Sequence, residues 1–220
     1  MVETKIIILD QQEIVYKIHY KRIKNCYLRV EKGEVVIRCS PLFPQSEIEK
    51  LIRNHQEEIL EQIKGYVPKY NYQEDGYVYL FNQKYQIVLK DMNIKKCAIH
   101  DRQIYVYSKN IQATIEMFLK QELMNYLKER IDFYLSTSFH HVFPEIQIKK
   151  MKRRWGACFY QKNRVCFNLV LAHIDYALID YVIVHELCHF LEANHSKAFY
   201  HEIEKRMPDY KERERLLKDV

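Results

Sequence analysis

The stretch VIVHELCHFLEANHS, residues 182–196, decides how this chain is read. His185 and His189 are four residues apart. On an α-helix that spacing puts both imidazoles on one face, a turn apart, within reach of a single ion. Glu186 projects about 100° around the helix from His185. It is poorly placed to ligate the same ion but can reach a water bound there. Two ligands and a general base in this order form the H-E-x-x-H arrangement of zinc hydrolases. Neutral imidazoles bind Zn2+ without cancelling its charge, and the ion lowers the pKa of its water towards about 7. The carboxylate then takes the proton and hands it to the leaving group.

The competing reading is a buried helix that happens to carry histidines. Ile179, Ile183, Leu187 and Phe190 form one apolar face, while Val182, Val184, Cys188 and Leu191 cover much of the rest. The helix is therefore expected to be buried nearly all round. Two imidazoles and a carboxylate would be costly to bury there without partners. A metal beside a solvent cleft removes that cost.

A structural zinc site fills all four positions with protein, whereas a catalytic one takes three and leaves a water. The candidates for the third ligand are Glu192, His195, His201, Glu202 and Glu204. His195 is favoured because it falls just past the expected helix end, where the chain can turn back under the metal. Asn194 suits a left-handed turn there. Ser196 reads as the N-cap of a further helix over residues 197–206. The alternative third ligand is Glu202 or Glu204 on that helix, and His201 reads as a solvated or core position.

The chain has 220 residues, 48% of them hydrophobic and 29% charged, which is ordinary for a globular protein. Four glycines and five prolines leave little linker, and there is no repeat or low-complexity segment. No apolar run reaches the roughly 20 residues that span a bilayer. The N-terminus, MVETKIIILDQQ, lacks the basic region and long apolar core of a signal peptide. The expectation is a cytoplasmic protein without membrane contact. Six cysteines, none in a C-x-x-C, read as reduced thiols rather than a disulfide framework or a cysteine zinc site.

A net charge of +6 is mildly basic. The densest run is KKMKRR, residues 149–154. As a strand it would carry charge on both faces, so some of these side chains would line a cleft or meet a partner. A solvated face is the default for most of them. Contact with nucleic acid, nucleotide phosphate or acidic protein segments is permitted.

Short β-branched runs (KIIIL, IVYKIHYK, CYLRVEKG and EVVIRCS) predict strands over the first 40 residues, with a turn at Lys32-Gly33. A capping box of Ser46 and Glu49, with Gly65 as a stop, predicts one helix from Glu47 to Lys64. YVYLFNQKYQIVLK predicts a hairpin, and a second runs from Cys97 to Tyr107 with its turn near Asp101. Ile115, Phe118, Leu119, Leu123, Tyr126, Leu127 and Ile131 mark a long helix over 111–135. EIQIKKMKRRWGACFYQKNRVCFNLVLA predicts two or three strands before the histidine helix, which starts near Asp175. Residues 164–171 are the candidate open edge to which an extended peptide could add as a strand. A soft boundary divides a β-rich subdomain with one helix, residues 1–105, from a core over 106–220.

RRWGAC, FNLVLA, IDYVIVHELCHFLEANHSKAFY and MPDYKERERLL resemble, in that order and spacing, the YgjP-like metallopeptidase domain family. The resemblance is strongest from about residue 145 to the end. It implies a zincin-like core of gluzincin type, distantly similar to SprT-like proteases that act near DNA. The family pattern matches His185, Glu186 and His189, and its N-H-S element matches Asn194, His195 and Ser196, which supports His195 as third ligand. The W-G-S-C element is Trp155, Gly156, Ala157 and Cys158 here, with alanine in the serine's place. The arginine-rich N-terminal signature is reduced to KRIKNCYLRV. The spacing of His185 to His195 also equals that of metzincins, but Glu192 stands where their turn glycine would be, and Met207 is not credited as a Met-turn.

These readings converge on an α+β protein with a zincin-like core and a β-rich N-terminal subdomain. The expected activity is that of a zinc-dependent hydrolase, a metallopeptidase acting on protein or peptide. Zn2+ is held by His185, His189 and His195, with Glu186 activating the metal-bound water. Arg154 and Trp155, before the presumed edge, are candidates for holding substrate or stabilising an oxyanion. Equally, Trp155 fills the core and Arg154 pairs with a carboxylate. Asn168 is a candidate for binding substrate backbone or for satisfying a turn. Two alternatives stand beside the peptidase. One is a metal-dependent nucleotide phosphohydrolase of pyrophosphatase type, steered by residues 149–154. The other is a nucleic-acid-associated module with a structural zinc.

Overall fold

Residues 2–39 alternate buried and exposed side chains along successive strands, and this period-two pattern pleats them into one sheet. In the computed structural model, which describes residues 2–31, 33–65, 70–92, 94–218 and 220, these strands are β1 (Val2–Leu9), β2 (Gln12–Tyr20), β3 (Tyr27–Glu31) and β4 (Glu34–Cys39). Their order is β1-β2-β4-β3, with β2 and β4 parallel. The β3–β4 turn is at the expected place, although Lys32 lies outside the described residues and only Gly33, at φ 72°, is seen to need a left-handed backbone. One face of the sheet, with Tyr16, Ile18 and Ile37, closes on helices α1 (Gln45–Asn54) and α2 (Gln56–Gly65) through Ile48, Ile52 and Ile59.

The single helix expected over residues 47–64 is thus two. His55 leaves the helical region at φ −113°, and its Nδ1 meets the Leu51 carbonyl oxygen at 3.0 Å. The capping box does not form either. Pro44 is the N-cap, and its carbonyl accepts the Glu47 and Ile48 N–H groups, so Ser46 lies inside the first turn.

The second sheet contains β5 (Tyr70–Asn71), β6 (Tyr77–Leu80), β7 (Gln83–Leu89), β8 (Lys96–His100) and β9 (Gln103–Tyr107), in the order β5-β6-β7-β9-β8. Both expected hairpins are present. Phe81 and Asn82, at φ 49° and 65°, turn β6 into β7, and Asp101, at φ 54°, turns β8 into β9. Left-handed residues there match the right-handed twist of the strands. Val78, Leu80, Ile87, Ile104 and Val106 form the inner face. They pack with helix α3 (Ile111–Tyr134), whose Ile115, Leu119, Leu123, Leu127 and Ile131 are fully buried at helical spacing.

The third sheet has β10 (Glu145–Lys149), β11 (Gly156–Phe159) and β12 (Arg164–Asn168), followed by α4 (Tyr176–Cys188), α5 (Lys197–Arg206) and α6 (Tyr210–Lys218). Its order is β10-β12-β11. This corrects the expected open edge. β12 is paired on both sides, in parallel with β10 and antiparallel to β11. The free edge beside α4 belongs to β11. The basic run is not a strand either. Lys149 ends β10, Lys150 pairs with Glu116 at 2.7 Å, and Lys152, Arg153 and Arg154 are exposed on the loop into β11.

The chain divides into compact units Met1–Pro68 and Lys69–Val220. The boundary expected at 105/106 falls inside the second unit, because the β5–β9 sheet buries its apolar face with α3 and forms one core with that helix. The fold class is α+β, as expected. None of the six cysteines is in a disulfide. No helix among the described residues is long and apolar enough to cross a membrane.

Candidate metal centre and active-site cleft

α4 starts where the Asp175 side chain accepts the Ala177 N–H at 2.8 Å, a local reason for a helix to begin there. It is buried nearly all round, from Leu178 to Cys188. Two carboxylates sit inside it. Asp180 is fully engaged: Arg130 donates to it from Nη2 at 2.7 Å and Nε at 3.0 Å, and the hydroxyls of Tyr126 and Tyr134 donate at 2.8 Å and 3.1 Å. This network fixes α4 on α3. Glu186, in the last turn, is 5% exposed.

His185 lies in that same turn and His189 is the C-cap, still at helical dihedrals. Their ring centroids are 5.2 Å apart. The chain then reverses. Asn194 does not take the left-handed conformation expected of it. The turn is closed instead by its carbonyl, which accepts the Ser196 N–H at 2.7 Å. Ser196 caps α5 as expected, its hydroxyl accepting the Phe199 N–H at 3.3 Å. His195 is thereby brought back to the helix, with Nε2 3.0 Å from His185 Nε2. One ring nitrogen from each of His185, His189 and His195 lies within 4.8 Å of the other two. Among the described residues no other three His, Cys, Asp or Glu side chains converge in this way.

This donor set fits a metal. Burial and the neighbouring His189 and His195 hold His185 down to about 4, and burial lowers His189 too, so both rings are in the neutral form a metal requires. His189 Nδ1 is 3.2 Å from the Glu192 carbonyl. A carbonyl only accepts, so the proton sits on Nδ1 and the Nε2 lone pair is free to ligate. His185 Nδ1 is buried without a hydrogen-bond partner among the described residues. The other candidate ligands are elsewhere. Glu202 is held well down, to about 2, by Lys205 and Arg206, while His201 and Glu204 are exposed and outside the histidine group.

Two residues that were not singled out as site residues complete the centre. Phe199 is fully buried, and its ring centroid lies 5.0, 4.6 and 4.8 Å from those of His185, His189 and His195. Gly156 lies against the Glu186 carboxylate: a Cβ there would come within 2.6 Å of Oε1. Glycine is required for β11 and α4 to approach this closely. The backbone of Cys158, also on β11, donates to Glu186. Burial pushes the Glu186 carboxyl up to about 8, against the pull of that N–H and of Arg154. Burial also pushes the Cys158 thiol up to about 12, so it stays protonated and is a poor nucleophile.

The histidines and Glu186 open into a cleft of about 570 Å3. Its walls are β11 with its flanks, α4, and the C-terminal helix through Glu214, Leu217 and Lys218. Arg154 and Trp155 line it. Asn168 does not line it. It is 5% exposed, and its amide bonds Met151 N–H at 3.2 Å, Met151 C=O at 2.8 Å, Arg154 C=O at 2.9 Å and Val170 N–H at 3.3 Å. Its second reading therefore holds: it clamps the loop that presents Arg154 and Trp155. Glycine inside a strand pattern beside an H-E-x-x-H was the available signal for Gly156. Nothing in the sequence signalled Phe199 or the wall formed by α6.

The YgjP-like metallopeptidase domain model matches residues 24–220. No curated protein matches the chain in sequence. Two solved structures are similar over part of it. The metallopeptidase zymogen of Pyrococcus abyssi abylysin covers 43% of this chain with 94% of its own, at 17% identity and a TM-score of 0.40. That of Methanocaldococcus jannaschii jannalysin covers 42% with 94% of its own, at 24% identity and a TM-score of 0.39. The family match takes in every residue of the site and most of the chain: this protein belongs to the YgjP-like family through its metallopeptidase domain and is a metallohydrolase.

Proposed function

We propose that the protein is a cytosolic zinc metallopeptidase in which His185, His189 and His195 hold the metal and Glu186 is the general base. The observation that carries this reading is the convergence of three imidazole nitrogens within 4.8 Å beside a buried carboxylate in an open cleft. Three neutral nitrogen donors favour Zn2+ over the harder Mg2+ or Mn2+. When bound, the ion supplies Lewis acidity that polarises a carbonyl and acidifies water. Glu186 accepts a proton from water at a carboxylate oxygen and delivers it to the departing amine nitrogen. Its burial supports both halves of that task, since a raised carboxyl pKa lies nearer the working pH. The six unpaired thiols support a reducing compartment.

Substrate is placed by the edge of β11. The Asn168 N–H bonds the Trp155 carbonyl at 2.8 Å, so in this antiparallel pair Trp155, Ala157 and Phe159 face β12. Gly156 and Cys158 face outward, and the Cys158 N–H already serves Glu186. The Gly156 backbone and the Cys158 carbonyl remain for an extended peptide to pair with. Arg154, exposed at the mouth, would hold a carboxylate or a developing oxyanion.

The test pairs metal analysis with hydrolysis, on wild type and Glu186→Gln, using an unfolded protein and the nucleoside triphosphates as substrates. The expected result is one zinc per chain in both proteins, with proteolysis in the wild type alone. Glu186-dependent release of pyrophosphate without proteolysis would overturn the peptidase reading. It would move the protein to the phosphohydrolase class, with Arg154 the first phosphate contact to examine.

A further inference from the structure

The β5–β9 sheet has a second face. Val78, Leu80, Ile87, Cys97, Ile104 and Val106 are buried in the core with α3, so the alternate residues of the same strands face away from it. On β6 these are Tyr77 and Tyr79, and on β9 they are Tyr105 and Tyr107; all four are half-buried. Within each pair the residues are two apart on one strand, and the Tyr77 and Tyr79 ring centroids are 6.0 Å apart, edge to face. Around them stand exposed cations. Lys84 is opposite Tyr79 in the register and carries its Nζ 4.2 Å from the Tyr77 ring centroid. Lys96 is opposite Tyr107. Lys90, just past β7, lies 4.8 Å over Tyr105. Strands β6 to β9 contain no aspartate or glutamate. The acids nearest in sequence flank the strands: Glu74 and Asp75 before β6, and Asp91 and Asp101 in the connections. Glu74 and Asp91 share a hollow with Lys90, and Asp101 pairs with His100 at 2.9 Å.

We propose that this face binds single-stranded RNA, with bases stacked on the tyrosines and phosphates held by Lys84, Lys90 and Lys96. Paired aromatic rings on β6 and β9, either side of β7, rimmed by cations and with no acid on the strands themselves, are a stacking platform for unpaired bases in an anionic chain. The two lysines now over the rings are already placed to move to phosphate when a base takes the ring face. Gln86 and Gln103 are directly opposite each other between the tyrosine pairs. Tyr105 donates to Gln103 Oε1 at 2.6 Å, which leaves that amide's N–H groups as donors. These amides match the 2′-hydroxyl, both donor and acceptor, that separates RNA from DNA. The face lies within the Lys69–Val220 unit and does not depend on the metal centre.

The test is fluorescence anisotropy of the full chain with a labelled oligouridylate, in a salt series. The expected result is binding whose logarithm falls with log salt by about 0.7 per phosphate contact. Tyr105→Leu and Tyr107→Leu keep apolar volume but lose the ring, and each should weaken binding at least about fivefold. Lys84→Gln and Lys96→Gln, both at exposed positions, should each flatten the salt slope by about 0.7. Lys152→Gln with Arg153→Gln should leave affinity unchanged. Thermal melting of each variant separates loss of binding from loss of fold, and the lysine variants carry the test if a tyrosine variant unfolds. The proposal is overturned by no binding at low salt, or by wild-type affinity in the tyrosine and lysine variants. Loss of binding on changing Lys152 and Arg153 would also overturn it, as would oligothymidylate or polyglutamate binding as tightly as oligouridylate.

Discussion

The two ends of α4 bury a carboxylate each and treat it in opposite ways. Asp180, near the start, receives four hydrogen bonds from Arg130, Tyr126 and Tyr134. Glu186, six residues on, receives the Cys158 N–H and otherwise faces a cleft and three histidines. A saturated carboxylate has nothing left to offer and serves to hold a helix in place. An under-satisfied one is poised to exchange a proton. The sharpest way to break this contrast is Glu186→Gln. Hydrolysis should fall about a thousandfold, or ~4 kcal/mol of barrier. Zinc content should stay at one per chain, and melting temperature should not drop, because a neutral amide replaces a carboxylate that burial disfavours. A variant that melts early would put Glu186 with Asp180 as a structural residue.

Asp180→Ala should do the reverse. Removing one partner of a buried, hydrogen-bonded ion pair leaves Arg130 without its counter-charge, at a cost of about 3 kcal/mol of stability. Below the new melting point the variant should still bind zinc and turn over substrate, since Asp180 lies five residues before His185, more than a turn away along α4. Urea melts beside activity at low temperature would show it. Activity lost while the fold persists would mean that the α3–α4 anchor also sets the catalytic geometry.

Gly156→Ala sharpens the contrast from the strand side. Its Cβ would come within 2.6 Å of Glu186 Oε1 and 2.7 Å of Cγ, so the carboxylate must move. Displacement of a base by about 1 Å costs on the order of a hundredfold. The expected signature is a loss in kcat with zinc retained. A Gly156→Ala variant of normal kcat would show that β11 can step back from α4, and would sever the link between this glycine and the base.

These residues also show what a sequence can and cannot reveal. The convergence of His185, His189 and His195 in one cleft with Glu186 was legible because helical periodicity and the cap at Ser196 are local rules, which packing did not override. Gly156 was visible as part of a W-G-x-C element, but its role depends on how closely a strand passes a helix that begins 20 residues later. Asn168 and Asp180 are satisfied by partners from other segments, and only tertiary structure could say which reading of Asn168 holds, or that Asp180 anchors a helix. The misread edge strand has the same origin. β12 is the most buried of its sheet, and a continuous apolar run marks a strand paired on both sides. The split helix over residues 45–65 fails for a different reason: a side-chain bond at His55 wins over an otherwise unbroken helical pattern.

The smallest of these effects falls on Ser196, where the two ways of positioning a site meet. Its hydroxyl satisfies the Phe199 N–H, one of the orphan donors at the start of α5. Ser196→Ala should therefore cost about 1 kcal/mol of stability. The position makes it more than a cap. Ser196 follows His195 directly, and the N–H it satisfies belongs to the residue whose ring backs all three histidines. Loosening the first turn of α5 should thus weaken zinc binding by up to about tenfold, the lower end of what supporting residues contribute. Competition with a chelating indicator would measure it. Ser196→Asp, which restores the cap and places a charge at the helix N-terminus, should recover both stability and metal affinity. Recovery of stability without metal affinity would show that His195 is held by the Asn194 turn alone, and that the cap and the metal centre are neighbours without being coupled.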